Sequence, residues 1–227
     1  MISIVEVRKR WSRSGSIVGS GIELKGLACL TLLVTACSTH MVPIKYAPAS
    51  REAEASFGAE DVRIGRVDDS RGTASNWLGA IRGGYGNPLK KLYTEKATRE
   101  VVKDVFEEAL KTRSSGAGGS PRHELNVDIR KFDCSYYFNR EAHAHLNVEL
   151  VSLQNSPRVV YSRLYKEDRT ESGVGAGIFG SVEHLRAFAE KTLTGAIDQV
   201  LADDALHREL LAPESNVSAN DGSSTSD

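Results

Sequence analysis

Three segments in the second half of the chain have the residue pattern of strands, and in the first two apolar and polar residues alternate, as in strands with one buried and one solvated face. They run from His123 to Cys134, from Arg140 to Leu153 and from Arg158 to Asp168. Residues typical of turns separate these segments at positions 136–139 and 155–157. The pattern therefore predicts three antiparallel strands joined by two hairpin turns.

Two other segments have the spacing of amphipathic helices. Asn87 followed by Pro88 is a typical helix start, and apolar residues recur at helical intervals up to Lys111. Ser181 precedes a second apolar stripe of the same kind, and residues 61–68 resemble a strand ahead of the first helix. The order β-α-β-β-β-α predicts an α+β domain, in which two helices cover one face of a largely antiparallel, four-stranded sheet.

Two Gly-rich stretches contain apolar residues that follow neither a helical nor a strand period. They are residues 69–87, predicted to form a long loop, and residues 173–180 before the last helix. Apolar loop residues either fold back over the core or form an exposed binding patch. Because both loops lie at ends of elements, we expect them to converge and bind a protein partner or a second copy of the chain. The predicted contact residues are Trp77, Leu78, Ile81, Tyr85, Ile178 and Phe179.

The N-terminal region has a basic stretch followed by an apolar run from Leu27 to Ala36. Ten residues of helix span about 15 Å, half of a bilayer core of roughly 30 Å, so the run is typical of a signal peptide. It ends in Val34-Thr35-Ala36-Cys37, which resembles a bacterial lipobox. A short buried core segment with a chance cysteine is the alternative. The basic stretch is unusually long, so either the extension is real or the start codon lies further downstream.

The lipobox resemblance implies a division of the chain and a location. Residues 1–36 are the predicted signal peptide, and Cys37 is expected to carry covalent diacylglycerol and acyl groups that anchor the protein in a membrane. Residues 37–60 are predicted to be a flexible tether, 61–211 the periplasmic domain and 212–227 a disordered tail. Ser38, rather than aspartate, follows the cysteine and favours the periplasmic face of the outer membrane.

Charge and cysteine content narrow the possible functions. The 227 residues include 29 basic and 30 acidic side chains, a balance that does not suit general nucleic-acid binding. The leader contains more basic than acidic residues, so its removal makes the chain more acidic. Of the three cysteines, Cys29 leaves with the leader and Cys37 is acylated, so no intramolecular disulfide is expected. Cys134 is then either a buried thiol or an intermolecular or redox site.

The predicted polar face of the sheet contains one candidate metal site. His143 and His145 are two residues apart on a predicted strand and therefore share a face. Either Cys134 or Asp133 is available as a third ligand across the hairpin. Two imidazoles are weak evidence, so solvated surface histidines are favoured and no metal or other cofactor is predicted. The polar residues expected on this face are Asn126, Asp128, Arg130, His143, His145, Asn147 and Glu149.

Two further motifs have a chemical and a structural interpretation. Gly175-x-Gly177-x-x-Gly180 matches a dinucleotide fingerprint, but no strand follows the predicted helix, so we expect no nucleotide binding. Asp68, Asp69 and Arg71 end a predicted strand, where an Asp-x-Arg sequence more often closes a turn by a bidentate ion pair than catalyses proton transfer. No Gly-x-Ser-x-Gly elbow is present, and no catalytic residue is predicted.

Several short motifs precede the first predicted helix, namely residues 67–71, Leu78-Gly79 and residues 84–86, and a lipobox lies ahead of them. Together they resemble the motifs of YajG-type periplasmic lipoproteins and, more distantly, of auxiliary lipoproteins of ABC-type lipid transport. The resemblance covers about residues 60–205 and implies an outer-membrane-attached domain without established chemistry. We therefore expect a lipid-anchored, non-enzymatic protein-binding or assembly module. The alternative is an auxiliary subunit of envelope lipid transport that binds an acyl chain between helices and sheet.

Overall fold

A computed structural model describes residues 37–48, 61–113, 120–154, 156–172 and 180–212. These residues form seven strands and three helices. The strands are β1 (Ser38–Val42), β2 (Val62–Asp69), β3 (Trp77–Arg82), β4 (Pro88–Thr94), β5 (His123–Tyr136), β6 (Asn139–Ser152) and β7 (Arg158–Ser172). The helices are α1 (Thr98–Arg113), α2 (Val182–Leu201) and α3 (Asp204–Leu211).

The seven strands form one mixed sheet around β5. β6 pairs antiparallel with one edge of β5, and β7 pairs antiparallel with β6. The other edge of β5 is shared by two parallel partners, β2 over His123–Ile129 and β3 over Cys134–Tyr136. β4 then pairs antiparallel with β3, and β1 pairs parallel with β4. The domain is therefore α+β, as predicted, but the four-stranded, largely antiparallel sheet is wrong.

Two of the additional strands lie where a loop and a helix were predicted. β3 occupies the second half of the predicted loop 69–87, and β4 occupies the first turns of the predicted first helix. Pro88 is compatible with this strand because it is the first residue, where the missing N–H breaks no ladder hydrogen bond. The apolar residues of a segment this short fit either period, so spacing alone misassigned it.

A third additional strand lies in the segment predicted to be a flexible tether. β1 begins immediately after Cys37 and pairs with β4 along all five of its residues. The following residues then run along α2, where the N–H of Lys45 donates to Glu190 at 2.9 Å and the N–H of Ala47 donates to Thr194 at 3.2 Å. Residues 37–48 therefore belong to the domain, and residues 49–60 lie outside the described part of the chain.

The three long strands β5, β6 and β7 lie where the sequence predicted them. β5 and β6 confirm the predicted alternation of buried and half-buried residues, whereas β7 buries only Tyr165. β5 and β6 are joined by a turn at Tyr137 and Phe138, within the predicted break. The next turn lies between Ser152 and Arg158, again where the sequence predicted it. Inward residues of β6, such as Leu146, are fully buried, and their neighbours on the other face are only half-buried.

Helices pack on one face of this sheet. α2 begins after Ser181, whose hydroxyl accepts a hydrogen bond from the N–H of His184, so the predicted N-cap is confirmed. Asp203 caps α3 in the same way, and this third helix was not predicted. α1, α2 and the inward residues of the strands form a continuous hydrophobic core. Its largest fully buried side chains include Phe106, Phe132, Leu146, Leu185, Leu193 and Ile197.

Candidate functional site

Cys37, the predicted site of lipidation, is exposed and directly precedes β1. Its Sγ atom donates a hydrogen bond to the carbonyl oxygen of Pro88, the first residue of β4, at 2.7 Å. The thiol therefore lies at the end of the sheet where β1 and β4 both begin. Residues 1–36, which include the predicted signal peptide, lie outside the described residues.

Several chain connections meet at this end of the sheet. β3 and β5 end side by side, since Ile81 pairs with Tyr136. In the turn after β5, the hydroxyl of Tyr137 donates to the carbonyl oxygen of Gly84, in the loop after β3, at 2.7 Å. β7 also ends here, because its last residue pairs with the first residue of β6. We call this region the anchor end, consisting of Cys37, residues 83–87 and residues 137–138.

Two aromatic side chains project into solvent at the anchor end. Tyr85 is fully exposed, and the side chain of Phe138 is 65% exposed. The sequence predicted Tyr85 as a contact residue but missed Phe138. The available signal was a large apolar residue inside a predicted hairpin turn, where the core does not require one.

The structure separates most of the residues that were predicted to form a binding patch. Leu78 and Ile81 are fully buried in the core, which corrects their assignment to an exposed loop. Trp77 is half-buried, packs edge-on against Tyr93 with ring centroids 5.2 Å apart, and lies at the opposite end of β3 from Tyr85. This separation follows from strand geometry, because six extended residues span about 17 Å between the first and last positions.

Ile178 and Phe179, the other predicted contact residues, lie outside the described residues, as do Gly175 and Gly177 of the Gly-rich motif. Gly180 follows them directly and lies close to the anchor end. Its carbonyl oxygen accepts a hydrogen bond from Nζ of Lys90 at 2.9 Å. A Cβ at Gly180 would lie 2.9 Å from side-chain atoms of Ile81 and Tyr136, so the chain passes close over the end of β3 here.

The Asp-x-Arg sequence forms the predicted bidentate ion pair. Nε and Nη2 of Arg71 donate to the two carboxylate oxygens of Asp69, both at 2.8 Å. Nη1 also donates to the carbonyl oxygens of Trp77 and Phe132, at 2.8 and 2.7 Å. Burial alone would raise the pKa of Asp69, but the hydrogen bonds and charge of Arg71 outweigh it and lower that pKa.

This ion pair lies where β5 changes partners. β2 pairs with β5 only as far as Ile129, and β3 pairs with it only from Cys134. Phe132 lies between these two stretches, and the guanidinium group of Arg71 binds its carbonyl oxygen. Arg71 therefore replaces ladder hydrogen bonds at the seam between β2 and β3, which is a structural role.

The two histidines of the predicted polar face do share a face, and a carboxylate joins them. Oδ1 of Asp168, on β7, accepts hydrogen bonds from Nδ1 of His143 at 2.5 Å and from Nε2 of His145 at 2.9 Å. Burial opposes ionisation of Asp168, but these hydrogen bonds outweigh it and lower its pKa. The three donor atoms lie within 4.8 Å of one another and have the chemistry of metal ligands.

The two residues that were weighed as a third ligand occupy different positions. Cys134 lies on the helix-covered face and is buried, so its thiol cannot join the histidines. Burial and the nearby Asp133 raise the pKa of this thiol, so of the two alternatives that the sequence left open the structure shows the buried thiol. Asp133 is directly opposite His143 in the β5–β6 register and shares its face.

The fold is similar to that of bacterial proteins of known structure. The chain resembles the crystal structure of protein XCC0632 from Xanthomonas campestris, of family DUF330, with a TM-score of 0.50 and 17% identity. The match covers 72% of this chain and 92% of that chain, and at this identity it shows a shared fold alone. A Caulobacter crescentus protein assigned as a lipoprotein is more distant, with a TM-score of 0.38 and 9% identity over 70% of this chain and 95% of that chain.

No protein-family model matches the chain, and no curated protein matches it by sequence. Among the described residues, no helix has both the length and the apolar character needed to cross a membrane.

Proposed function

We propose that this protein is a lipid-anchored, non-enzymatic binding module on the periplasmic face of the outer membrane. The observation that carries the proposal is the position of Cys37. It is exposed, it follows a lipobox-like sequence, and it stands one residue from the sheet. Acyl chains contribute about 0.8 kcal/mol per buried CH₂, so two or more chains on this residue give stable anchoring.

The short connection between Cys37 and β1 determines which surface faces the membrane. One residue spans at most about 3.6 Å, so an acylated Cys37 holds the anchor end against the headgroup region. Tyr85 and Phe138 are exposed at that end and provide rigid aromatic contacts of the kind that dominate protein interfaces. The partner we propose is therefore a protein at the membrane surface, or a second copy of this chain anchored beside it.

Lipidation is tested by metabolic labelling with palmitate in cells that make the wild type or the Cys37→Ser variant. We expect label in the wild type and none in the variant, since only the Cys37 thiol forms the thioether. A Cys134→Ser variant is the matched control and should be labelled like the wild type, because that thiol is buried. Equal labelling of the wild type and Cys37→Ser would refute the anchor.

Partner binding is tested by placing a photo-crosslinking amino acid at position 85 or 138 in living cells. We expect each position to trap the same discrete protein. Val159 is the matched control, because it is an exposed apolar residue at the opposite end of the sheet. Crosslinks from position 159 alone would contradict the proposed surface, and crosslinks from 85 and 138 to lipid alone would show that the anchor end binds the membrane instead of a protein.

The alternative function, acyl-chain binding in lipid transport, needs space between the helices and the sheet. Phe106 of α1, Phe132 of β5 and Leu193 of α2 are fully buried in one continuous core there. An acyl chain would have to displace such side chains, so this packing favours the binding module. Native mass spectrometry of the purified protein checks this alternative, and a stoichiometric phospholipid that is not covalently attached would favour transport.

A further inference from the structure

The open face of the sheet, opposite the helices, presents two histidines on a rigid strand. His143 and His145 alternate with the fully buried Ala142 and Ala144, so both rings project from the same face of β6. β6 is hydrogen-bonded to neighbouring strands on both sides, which fixes the backbone positions of the two histidines. Their side chains are 24% and 20% exposed, and thus partly desolvated yet accessible to an ion.

A third ligand comes from the neighbouring strand. Asp168 pairs directly with His143 in the β6–β7 register, and its carboxylate lies between the two imidazole rings. One oxygen, Oδ1, is 2.5 Å from Nδ1 of His143 and 2.9 Å from Nε2 of His145. Two imidazole nitrogens and one carboxylate oxygen therefore converge from two adjacent strands.

We propose that His143, His145 and Asp168 form a binding site for a divalent transition-metal ion, and that zinc fits this ligand set best. Zinc is bound by imidazole nitrogen and carboxylate oxygen, and sites with three protein ligands keep a further position open for water or another ligand. The hydrogen bonds between each ring and Asp168 hold the donor atoms near one another before a metal arrives. When zinc binds, the proton of each neutral ring moves through solvent to the other ring nitrogen, so that Nδ1 of His143 and Nε2 of His145 each present a lone pair to the metal.

Zinc requires a rearrangement of the three side chains. With ligand bonds of about 2.0–2.1 Å in a tetrahedral arrangement, neighbouring ligand atoms are about 3.4 Å apart. The two hydrogen-bonded distances, 2.5 and 2.9 Å, must therefore widen to about this value, and the two ring nitrogens, which lie within 4.8 Å of each other, must adopt the same spacing. The side chain of Asp168 is 52% exposed and has room to rotate, and the open face gives the ion a direct path to the site.

Charged side chains around the site affect its affinity for a metal ion. Asp133 is opposite His143 on the β5 side and adds a second negative charge near the ion. Lys131 and Lys166 are opposite His145 on its two sides, and their ammonium groups oppose the binding of a cation. The arrangement predicts that removal of one ammonium strengthens metal binding.

The test is zinc titration of the full chain without a polyhistidine tag, in a Cys37→Ser background that removes the exposed thiol. Affinity is measured by competition with a chromophoric chelator. We expect one zinc ion per chain, and at least a tenfold weaker affinity in each of His143→Ala, His145→Ala and Asp168→Asn, since even indirect partners of metal ligands are worth about 10–100-fold. Lys166→Gln should bind zinc a few-fold more tightly.

His40→Ala is the matched control, because this histidine lies on β1, away from the three proposed ligands on β6 and β7. Cobalt substitution gives an independent readout, since tetrahedral cobalt absorbs visible light much more strongly than the octahedral hydrated ion. We expect this strong absorption only when both rings are present. The proposal is overturned if the parent protein binds no zinc, or if His143→Ala and His145→Ala bind it as the parent does. It is also overturned if a control variant removes the site. Because every variant lacks the lipid anchor, none of these outcomes depends on the proposed function.

Discussion

The two faces of the sheet are built from alternating residues of the same strands, yet they have opposite roles. On β6, Ala144 and Leu146 point into the helix-covered face and are fully buried, whereas His143 and His145 point to the open face. The covered face excludes water along its length, and the open face carries ion pairs such as Arg130 with Asp128. The hydrophobic core lies on the covered face, so the residues of the open face are not needed for its packing and can be polar.

The largest difference in the free energy of unfolding should be between variants of two adjacent residues of β5. Phe132→Ala removes a fully buried ring and should lower the free energy of unfolding by about 3–5 kcal/mol. Asp133→Ala, on the open face, should change it by less than about 0.5 kcal/mol. Urea denaturation followed by circular dichroism measures both values. Similar losses for the two variants would show that the open face is also part of the core.

Breaking the buried ion pair of Arg71, between β2 and β3, should lower the free energy of unfolding more than breaking an exposed ion pair does. The side chain of Arg71 is 5% exposed, and Arg71→Ala removes the guanidinium group that donates to the carboxylate of Asp69 and to two carbonyl oxygens. We expect a loss of about 3 kcal/mol in the free energy of unfolding. Arg66→Ala removes an exposed ion pair with Asp68 and should cost less than about 1 kcal/mol in the same urea experiment. Equal costs would contradict the proposed role of Arg71.

Acid should weaken the attachment of α3 to the covered face. Asp203 is nearly buried and accepts hydrogen bonds from Tyr165 at 2.8 Å and Tyr161 at 2.9 Å. Burial opposes ionisation, but the hydrogen bonds from Tyr165, from the backbone N–H of Ala205 and from Tyr161 outweigh it and lower the pKa of Asp203 to about 2.

The sign of the pH effect follows from this lowered pKa. The pKa of an unfolded Asp is about 3.9, so Asp203 stabilises the fold above about pH 4, and the contribution is lost as the pH falls towards 2. Between pH 5 and pH 2, the free energy of unfolding of the wild type should fall by about 2 kcal/mol more than that of Asp203→Asn. Asparagine keeps the helix cap, so it isolates the charge. If the free energy of unfolding falls equally in the two proteins, Asp203 is not the cause of the pH dependence.

The smallest effect on stability should come from the anchor end. Tyr85 is fully exposed, so Tyr85→Ser should change the free energy of unfolding by less than about 0.5 kcal/mol. The same variant should reduce crosslinking of the partner from position 138. A stable variant that still binds the partner would remove Tyr85 from the binding surface.

β5 and β6 were predictable because each alternates over ten or more residues, which few other structures explain. β7 was predictable because strand-forming residues such as Val159, Val160 and Tyr161 follow a turn signal. β1 and β4 were not, because each is short and lies near the edge of the sheet, where few positions must be apolar. β3 was not predicted, because it contains Gly79 and glycine is more typical of loops than of strands. The structure explains this glycine, since a Cβ there would lie 1.9 Å from the carbonyl oxygen of Cys134 across the β3–β5 pair.

The candidate sites were likewise only partly predictable from the sequence. The spacing of His143 and His145 was visible in the sequence, and strand geometry placed them on one face. Their partner Asp168 depends on the register of β7 against β6, which is set by a turn whose shape the sequence does not specify. Likewise, Phe138 belongs to the anchor end only because the β5–β6 turn lies beside the β3–β4 loop.

The position of β1 also has a mechanical consequence for a protein anchored at Cys37. A force that pulls the domain away from the membrane acts along β1, so its five paired residues bear the load together, in shear. While β1 holds, the domain stays within a few ångströms of the lipid. If β1 slides out of the sheet, residues 38–48 can extend by up to about 38 Å. The pairing of β1 would therefore limit how far the domain can move from the membrane.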